Sequence, residues 1–317
     1  MKDYRPVRDY LLLVDGSSFI HRNYHALPKL TRQVDGLQTG ALYGLANSLL
    51  KMFRLNWTAI ERLPKYGAMV LDVRGPNWRH QIDPDYKAQR KPYEADLLEQ
   101  LPHIPTIASA FNLSSIGVAG FEADDIIATY VALADEAGLD TVIATSDKDL
   151  SQLVGEYDEG TSCILYDSMK DKGREDCAHA LVGDEIVFAK LGVWPHQVAD
   201  FLALTGDAVD NVPGCPGIGP KKAAALLDQF GTLPALLEAA EWNTEAFKSQ
   251  KERQKIVDNQ RSILMSRQLV ALSSDVPVPA SIDDLEIIPA ESYALRAMLM
   301  DYEFSSLVEK VDRPARR

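Results

Sequence analysis

Carboxylate side chains adjoin aliphatic runs at five places in this sequence. In YLLLVDGSS and GAMVLDVRG an aspartate follows the aliphatic residues, and in DTVIATSDKDL two aspartates do so. FEADDII carries three acids directly before its isoleucines. FLALTGDAVDN contains two aspartates three positions apart, after its aliphatic residues. The nine candidate acids are Asp15, Asp72, Glu122, Asp124, Asp125, Asp147, Asp149, Asp207 and Asp210. Chemistry that needs many carboxylates at one site is therefore the first hypothesis.

Such a set of acids predicts a site that binds divalent metal ions. Many carboxylates meet in one pocket only if protons or cations neutralise them, because an unpaired buried charge costs several kcal/mol. Oxygen ligands without a Cys or His cluster favour Mg²⁺ or Mn²⁺ over zinc. The number of acids exceeds the need of one ion, so two ions about 4 Å apart are expected, the geometry that cleaves phosphodiesters. For any single acid the alternative is a turn or helix-cap role.

Strand-like and helix-like patterns alternate in the first half of the chain. The predicted strands lie within 10–18, 67–75 and 140–150. The predicted helices lie within 39–53, 95–111 and 123–138, and the second of them is expected to break at Pro102 or Pro105. This alternation indicates an α/β fold with a mostly parallel central sheet. Because functional groups gather at the carboxyl ends of such strands, the acids are expected there together. Glu122 and Asp125 would share one face of a helix whose N-terminal dipole favours negative charge.

The second half of the sequence has a mainly helical pattern. A polar loop around one short strand is predicted at 155–177, and a domain boundary near residue 184. An α/β core over 1–184 and a helical region over 185–317 are therefore expected. Within the helical region, long helices are predicted at about 243–272 and near 291–310.

The composition describes a globular chain with a real core. Its 317 residues are 46% hydrophobic, with no apolar run near the ~20 residues that cross a bilayer, so a soluble cytoplasmic protein is expected. The net charge of −13 argues against nucleic-acid binding unless the acids gather in a metal-neutralised pocket and leave basic tracks elsewhere. Cys163, Cys177 and Cys215 are expected as reduced thiols, and the six histidines form no metal-spaced group.

Two stretches carry basic residues in patterns suited to a nucleic-acid backbone. The first stretch, at 211–225, reads NVPGCPGIGPKKAAA and leads from a glycine turn into a helix. Exposed amides and lysines at such a helix start bind phosphate. The alternative interpretation is a plain helix-turn-helix corner. NWRHQIDPDYKAQRKPYEADL, at 77–97, mixes basic and aromatic side chains that could stack on bases, or is a solvated loop. KSQKERQK, at 248–255, is predicted as an exposed helix face.

Five ordered motifs resemble those of a known family. LLLVDGSSFIHRNYHAL, DYKAQRKP, GFEADDIIAT, ATSDKDLSQL and FLALTGDAVDNVPGCPGIGPKKAAALL are similar to the 5′ nuclease domain of bacterial DNA polymerase I and its flap endonuclease relatives. The likeness runs from about residue 10 to about residue 308. It implies a PIN-like nuclease core, a helical arch at about 77–104 and a helix-three-turn-helix module with its hairpin at 211–225. A free-standing member without a polymerase domain is expected.

The resemblance also implies roles for individual residues. One metal would be held by Asp15, Asp72, Glu122 and Asp124, a second by Asp147, Asp149 and Asp207, and Asp125 and Asp210 would act through water. Asp124 would lie between the ions, and Lys87 and Arg90 beside the scissile phosphate. DNA contacts are implied for Arg22, Tyr86, Lys87, Arg90, Gly217, Gly219, Lys221 and Lys222, with K⁺ on backbone carbonyls of the hairpin at 211–219. Val209 and Lys222 depart from the family pattern without removing a ligand.

The implied function is that of a Mg²⁺- or Mn²⁺-dependent, structure-selective 5′ nuclease in replication and repair. It would act as a monomer on DNA with 5′ flaps, nicks or free 5′ ends, in a bacterial or phage-like cytoplasm. The alternative is an inactive protein that binds branched DNA. A phosphatase with Asp15 as nucleophile is disfavoured, because Ser17 stands where a second acid is needed.

Overall fold

The computed structural model describes residues 5–53, 60, 62–167, 180–288 and 292–312. A seven-stranded sheet forms its centre. The strands are β1 Tyr10–Asp15, β2 Tyr66–Val70, β3 Ser114–Ile116, β4 Asp140–Ala144, β5 Gly155–Glu156, β6 Ser162–Tyr166 and β7 Leu181–Val182. Their order is β3-β2-β1-β4-β6-β5, and β7 also pairs with β6. All pairs are parallel except the two that β5 and β7 make with β6, which confirms the predicted sheet.

Helices cover both faces of this sheet. In the first half they are α1 Gly16–Ala26, α2 Gly40–Phe53, α3 Arg79–Ile82, α4 Ala95–Leu98, α5 Ile104–Ser109 and α6 Ala123–Glu136. In the second half they are α7 Asp184–Leu191, α8 Val198–Thr205, α9 Pro220–Phe230, α10 Leu233–Trp242, α11 Gln250–Asp258, α12 Gln260–Val270, α13 Ser292–Asp301 and α14 Ser305–Asp312. Among the described helices, none has the length and apolar character needed to span a bilayer.

Two hydrophobic cores lie on opposite faces of β1, because successive strand residues point to opposite sides. Leu11 and Leu13 face a core shared with α6 and with the helices from α7 to α12. Leu12 and Val14 face a core shared with α2, α5, α13 and α14. β1 is thus buried on both faces, which explains its continuous aliphatic sequence.

Several predicted helices are interrupted. The pattern at 95–111 forms α4, a 3-10 turn and α5, since Pro102 and Pro105 supply no backbone N–H. The stretch predicted near 291–310 forms α13 and α14, separated where Glu303 adopts a φ of 58°. The predicted loop at 155–177 is described as far as residue 167, and Cys177 lies outside the described residues.

The last two helices return to the α/β half of the chain. Leu299 and Leu307 are fully buried in the core around α2, and the rings of Phe304 and Tyr43 meet edge to face at 5.3 Å. The helical region that was expected over 185–317 is therefore divided, with α7 to α12 on one face of the sheet and α13 and α14 on the other.

Candidate active site

The carboxyl ends of β1 and β4 bring two of the predicted acids together. Asp15 is 3% exposed, and its Oδ1 accepts a hydrogen bond from the Ser18 amide at 3.0 Å. The Thr145 hydroxyl donates to Asp15 Oδ2 at 2.8 Å and accepts from the Asp147 amide at 2.9 Å. Burial raises the pKa of Asp15 to about 7, and the charges of Asp147 and Asp72 add to this rise. The hydrogen bonds from Ser18 and Thr145 act in the opposite direction and lower the pKa. These strand ends therefore concentrate negative charge.

Asp72, which follows β2, lies next to the acids at the start of α6. Asp72 Oδ1 accepts from the Ala123 amide at 2.9 Å, in the first turn, where the helix dipole favours negative charge. Glu122 forms a capping box with Asp125. Burial, with the charges of Asp147, Asp15 and Asp72, raises the pKa of Asp124 well above its ordinary value. Asp72 and Asp124 thus belong to the same electrostatic site as the acids of β1 and β4.

A second group of acids follows β4 and α8. Asp147 Oδ1 accepts from the Asp149 amide at 2.9 Å, and Asp207 Oδ2 accepts from Lys148 at 2.7 Å. Burial and the neighbouring Asp147 charge raise the pKa of Asp149 to about 7. Burial acts in the same direction on Asp207, but the hydrogen bond and charge of Lys148, together with backbone hydrogen bonds, outweigh it and lower the pKa of Asp207. Asp207, Asp149 and Asp210 line one cavity with Glu122 and Asp124.

The donor set of this site fits a hard divalent cation. All its candidate ligands are carboxylate oxygens, and Asp149 Oδ1 is buried without a hydrogen-bond partner. The raised pKa values of Asp15, Asp124 and Asp149 reflect burial among like charges, which a cation would relieve. Within the described ranges, however, no three His, Cys, Asp or Glu side chains already form a metal-binding group. The acids are thus brought to one end of the sheet without a preset ligand geometry.

Lys87 lies at the edge of the acids in an unusual backbone conformation. Its φ is 59°, a left-handed value that is uncommon for a residue with a Cβ. Its amide donates to the Asp210 carbonyl at 3.0 Å, and its ammonium contacts Glu122 and lies 3.7 Å from the Asp210 carboxylate. Burial alone would lower the pKa of Lys87, but the charges of Glu122 and Asp210 raise it, so the group remains cationic. Arg90 donates to Asp210 at 2.5 Å.

Asp125 is placed differently from the other acids, and this corrects its expected role as a water-linked metal holder. Its carboxylate is fully buried and accepts from the Arg79 guanidinium at 2.7 and 2.8 Å. It also accepts from the Trp78 indole at 3.1 Å and from the Ser273 amide at 3.0 Å. Burial opposes ionisation, but the Arg79 bond and charge outweigh it and lower the pKa. Because both oxygens are occupied, Asp125 positions the start of α6.

Tyr86 also departs from its expected role as a DNA contact. The side chain is 4% exposed, and its hydroxyl donates to Glu122 at 3.1 Å. Its ring meets His80 edge to face at 5.7 Å. A ring enclosed in this way offers no face on which a base can stack, so Tyr86 orients Glu122.

The remaining candidate DNA contacts are Arg22 and four residues of the hairpin stretch at 211–225. Gly217 has a φ of 81°, which favours glycine, and Gly219 directly precedes α9. Lys221 is exposed, whereas Lys222 lies 3.4 Å from Glu252. Arg22 stacks on the Phe19 ring at 4.4 Å and experiences the charges of Asp167 and Asp15. Arg22 thus lies near the acids, and the hairpin stretch begins directly after Asp210, with Val212 lining the acidic cavity.

Two family descriptions match consecutive parts of the chain. Residues 10–189 match the 5′-3′ exonuclease N-terminal resolvase-like domain, and residues 193–292 match the 5′-3′ exonuclease C-terminal SAM fold. The chain belongs to the 5′-3′ exonuclease family. This confirms both the resemblance and the predicted order of an α/β nuclease core and a helical module.

Individual relatives of this exonuclease-family chain agree with the assignment. DNA polymerase I of Rhizobium leguminosarum is 43% identical over 304 residues, which are 96% of this chain and 28% of that protein. The 5′-3′ exonuclease of Aquifex aeolicus is 33% identical over 303 residues, 96% of this chain and 95% of that protein. The T5 5′-exonuclease, solved with bound divalent metal ions (zinc), shares the fold with a TM-score of 0.61. The match covers 92% of this chain and 98% of the T5 chain, at 17% sequence identity. This chain thus spans under a third of the polymerase relative.

Three residues that contact the acids were not among the predicted site residues. Thr145 links Asp15 to Asp147, Ser17 Oγ accepts from the Asp72 amide at 2.8 Å, and Lys148 pairs with Asp207. Each lies within two residues of a predicted acid, in TSDKDL or DGSS. Hydroxyl and ammonium groups next to clustered acids are the sequence signal that identifies such supporting residues.

Proposed function

We propose that this protein is a divalent-metal-dependent, structure-selective 5′ nuclease with 5′-flap endonuclease and 5′-3′ exonuclease activity. One observation carries the proposal: acids from three separate parts of the chain meet at one end of the parallel sheet, with the Lys87 ammonium held among them. Membership of the exonuclease family supports the same reaction class. DNA with 5′ flaps, nicks or free 5′ ends is the proposed substrate.

Divalent cations, Mg²⁺ or Mn²⁺, are the proposed cofactors. Asp15, Asp72, Glu122 and Asp124 would hold one ion, and Asp147, Asp149 and Asp207 a second, with Asp210 acting through water. When bound, such ions supply positive charge and Lewis-acid activation for phosphodiester hydrolysis. Thr145 and Ser17 orient the acids, and the ammonium of Lys87 and the guanidinium of Arg90 stabilise negative charge on the phosphate.

Substrate binding is proposed for the surfaces outside the acidic cavity. The helical region from 185 onward would grip the duplex backbone through the hairpin residues Gly217, Gly219, Lys221 and Lys222, with K⁺ at 211–219. Amides exposed at a helix start and adjacent lysines suit sequence-independent phosphate contacts. Arg22 and Arg90 would contact DNA nearer the acids. A monomer in the cytoplasm is the proposed working form.

The decisive experiment compares end-labelled 5′-flap, nicked and single-stranded DNA in Mg²⁺, with EDTA as the control. We expect Mg²⁺-dependent cleavage near the junction and products that carry 5′ phosphates. Tight binding of flap DNA without cleavage in either Mg²⁺ or Mn²⁺ would establish the inactive branched-DNA binder instead.

Replacing Lys87 with alanine is expected to slow cleavage far more than it weakens DNA binding. A preorganised charge-stabilising group is worth roughly 3 to 4 kcal/mol in comparable sites, because it acts mainly on charge that develops in the transition state. Single-turnover cleavage and fluorescence-anisotropy binding measure the two effects separately. Lys91→Ala is the matched control, since Lys91 is an exposed cation in the same segment and has no described contact with the acids. Equal losses in cleavage and binding for Lys87→Ala would show that Lys87 only holds DNA.

A further inference from the structure

Two histidines on α1 face each other on the outer side of the helix. His21 and His25 lie four residues apart, one helical turn, so both rings project from the same face. Their Nε2 atoms are 3.3 Å apart, and the ring planes meet at 70° with centroids 4.6 Å apart. Both side chains are exposed to solvent. The paired nitrogens are therefore open to a solute on the surface of the protein.

The separation of these two nitrogens matches the distance between two imidazole nitrogens that bind the same zinc ion. Zinc binds imidazole nitrogen at about 2.0 to 2.1 Å, so two nitrogens on a tetrahedral ion stand about 3.4 Å apart. The observed 3.3 Å meets this spacing without any movement of the helix. Helix α1 is fixed at its start by the Asp15 cap and by the buried residues Phe19 and Ile20. The backbone that carries the pair is therefore fixed, and the hydrogen bond that now joins the two rings is the contact that a bound cation would replace.

Residues of the arch segment surround this pair. The Tyr93 ring lies 5.9 Å from the His21 ring, and Glu94 and Arg90 are close enough to act electrostatically on His21. Glu94 is exposed and its negative charge favours a cation here, whereas the positive charge of Arg90 opposes one. The pair thus lies between α1 and the segment that carries Lys87 and Arg90.

We propose that His21 and His25 form a binding site for a borderline transition-metal cation such as Zn²⁺, Ni²⁺ or Cu²⁺, separate from the acidic site. Imidazole nitrogen suits these ions, whereas the carboxylates of the acidic site suit Mg²⁺ or Mn²⁺. Solvent fills the other coordination positions, as in an open site. The inference concerns binding alone and stands whether or not the proposed nuclease activity is found.

Equilibrium dialysis against Zn²⁺ in a large excess of Mg²⁺ tests the site. The excess Mg²⁺ competes for the carboxylate oxygens, so the remaining Zn²⁺ reports on nitrogen ligands. We expect the wild-type chain to bind Zn²⁺ at least about tenfold more tightly than His21→Gln or His25→Gln, because each change removes one of the two ligands. His196→Gln is the matched control, since His196 is also an exposed histidine and lies outside this pair.

A second measurement follows the ring protons of the histidines by NMR during the Zn²⁺ titration. The resonances of His21 and His25 should shift or broaden together at one Zn²⁺ per chain, while that of His196 stays unchanged. Equal Zn²⁺ affinity in the wild type and in a variant with both substitutions would overturn the proposal, as would equal perturbation of all histidine resonances. Thermal unfolding confirms that each variant is folded, which the exposure of both side chains favours.

Discussion

Asp147→Asn is expected to remove nearly all Mg²⁺-dependent cleavage while DNA binding stays measurable. The amide keeps the oxygen that accepts from the Asp149 amide, so the turn after β4 is preserved. It removes the charge that acts on both Asp15 and Asp149, and with it a carboxylate from the proposed metal ligands. Since outer-shell partners of metal sites already contribute about 10- to 100-fold, loss of a direct ligand should cost at least about 100-fold in rate.

The measurement is single-turnover cleavage of a 5′-flap substrate over a range of Mg²⁺ concentrations. Asp158→Asn is the matched control, because Asp158 is an exposed acid in the turn after β5 and takes no part in the acidic site. Anisotropy with the same DNA should show similar affinities for both variants. Normal turnover by Asp147→Asn in Mg²⁺ would refute the assignment of Asp147 to the metal site.

Arg79→Met is expected to destabilise the fold strongly. The Arg79 guanidinium is 2% exposed, pairs with Asp125, and donates to the carbonyls of Leu269 and Ala271 at 2.7 Å. It therefore ties α3 to the start of α6 and to the end of α12. Removing one partner of a buried pair typically costs about 3 to 5 kcal/mol, because the other charge is left buried and uncompensated. Urea unfolding followed by circular dichroism measures the loss.

A double-mutant cycle separates the ion pair from simple loss of packing. Asp125→Leu alone should be strongly destabilising, whereas Arg79→Met with Asp125→Leu should cost clearly less than the two single changes added together. Lys29→Met is the matched control, since the Lys29 pair with Asp96 has a similar distance, 2.8 Å, but the lysine is 75% exposed, so little stability should be lost. Strict additivity of the Arg79 and Asp125 changes would exclude coupling between them.

The same contacts link stability to the geometry of the acidic site. Arg79 lies 3.2 Å from Glu122 as well as contacting Asp125, and Tyr86 donates to Glu122. Both Arg79 and Tyr86 are buried, so the start of α6 is held by side chains from within the protein. Within the FEADD motif, Asp125 therefore pairs with buried Arg79, whereas Glu122 and Asp124 line the acidic cavity.

The sequence alone predicted the parallel strands within 10–18, 67–75 and 140–150 and the acids that follow them, but not the short strands β3, β5 and β7. Uninterrupted aliphatic runs such as YLLLV are typical of strands buried on both faces, and parallel strands place their carboxyl ends at one edge. Prolines at 102 and 105 also marked the break in the predicted helix. These features depend on local pattern and on chain direction, which a sequence records.

The tertiary structure decided which neighbouring side chains face the site. Asp124 and Asp125 are adjacent on α6, so their side chains point about 100° apart, and only the position of Arg79 determined that Asp125 faces the core. The left-handed backbone of Lys87 and the enclosure of Tyr86 depend in the same way on the loop around Asp210 and on Glu122. His21 and His25 are four apart in the sequence, but their 3.3 Å approach depends on side-chain rotamers. Contacts between distant segments determine which side chain faces the site. The spacing of residues in the sequence alone does not determine this.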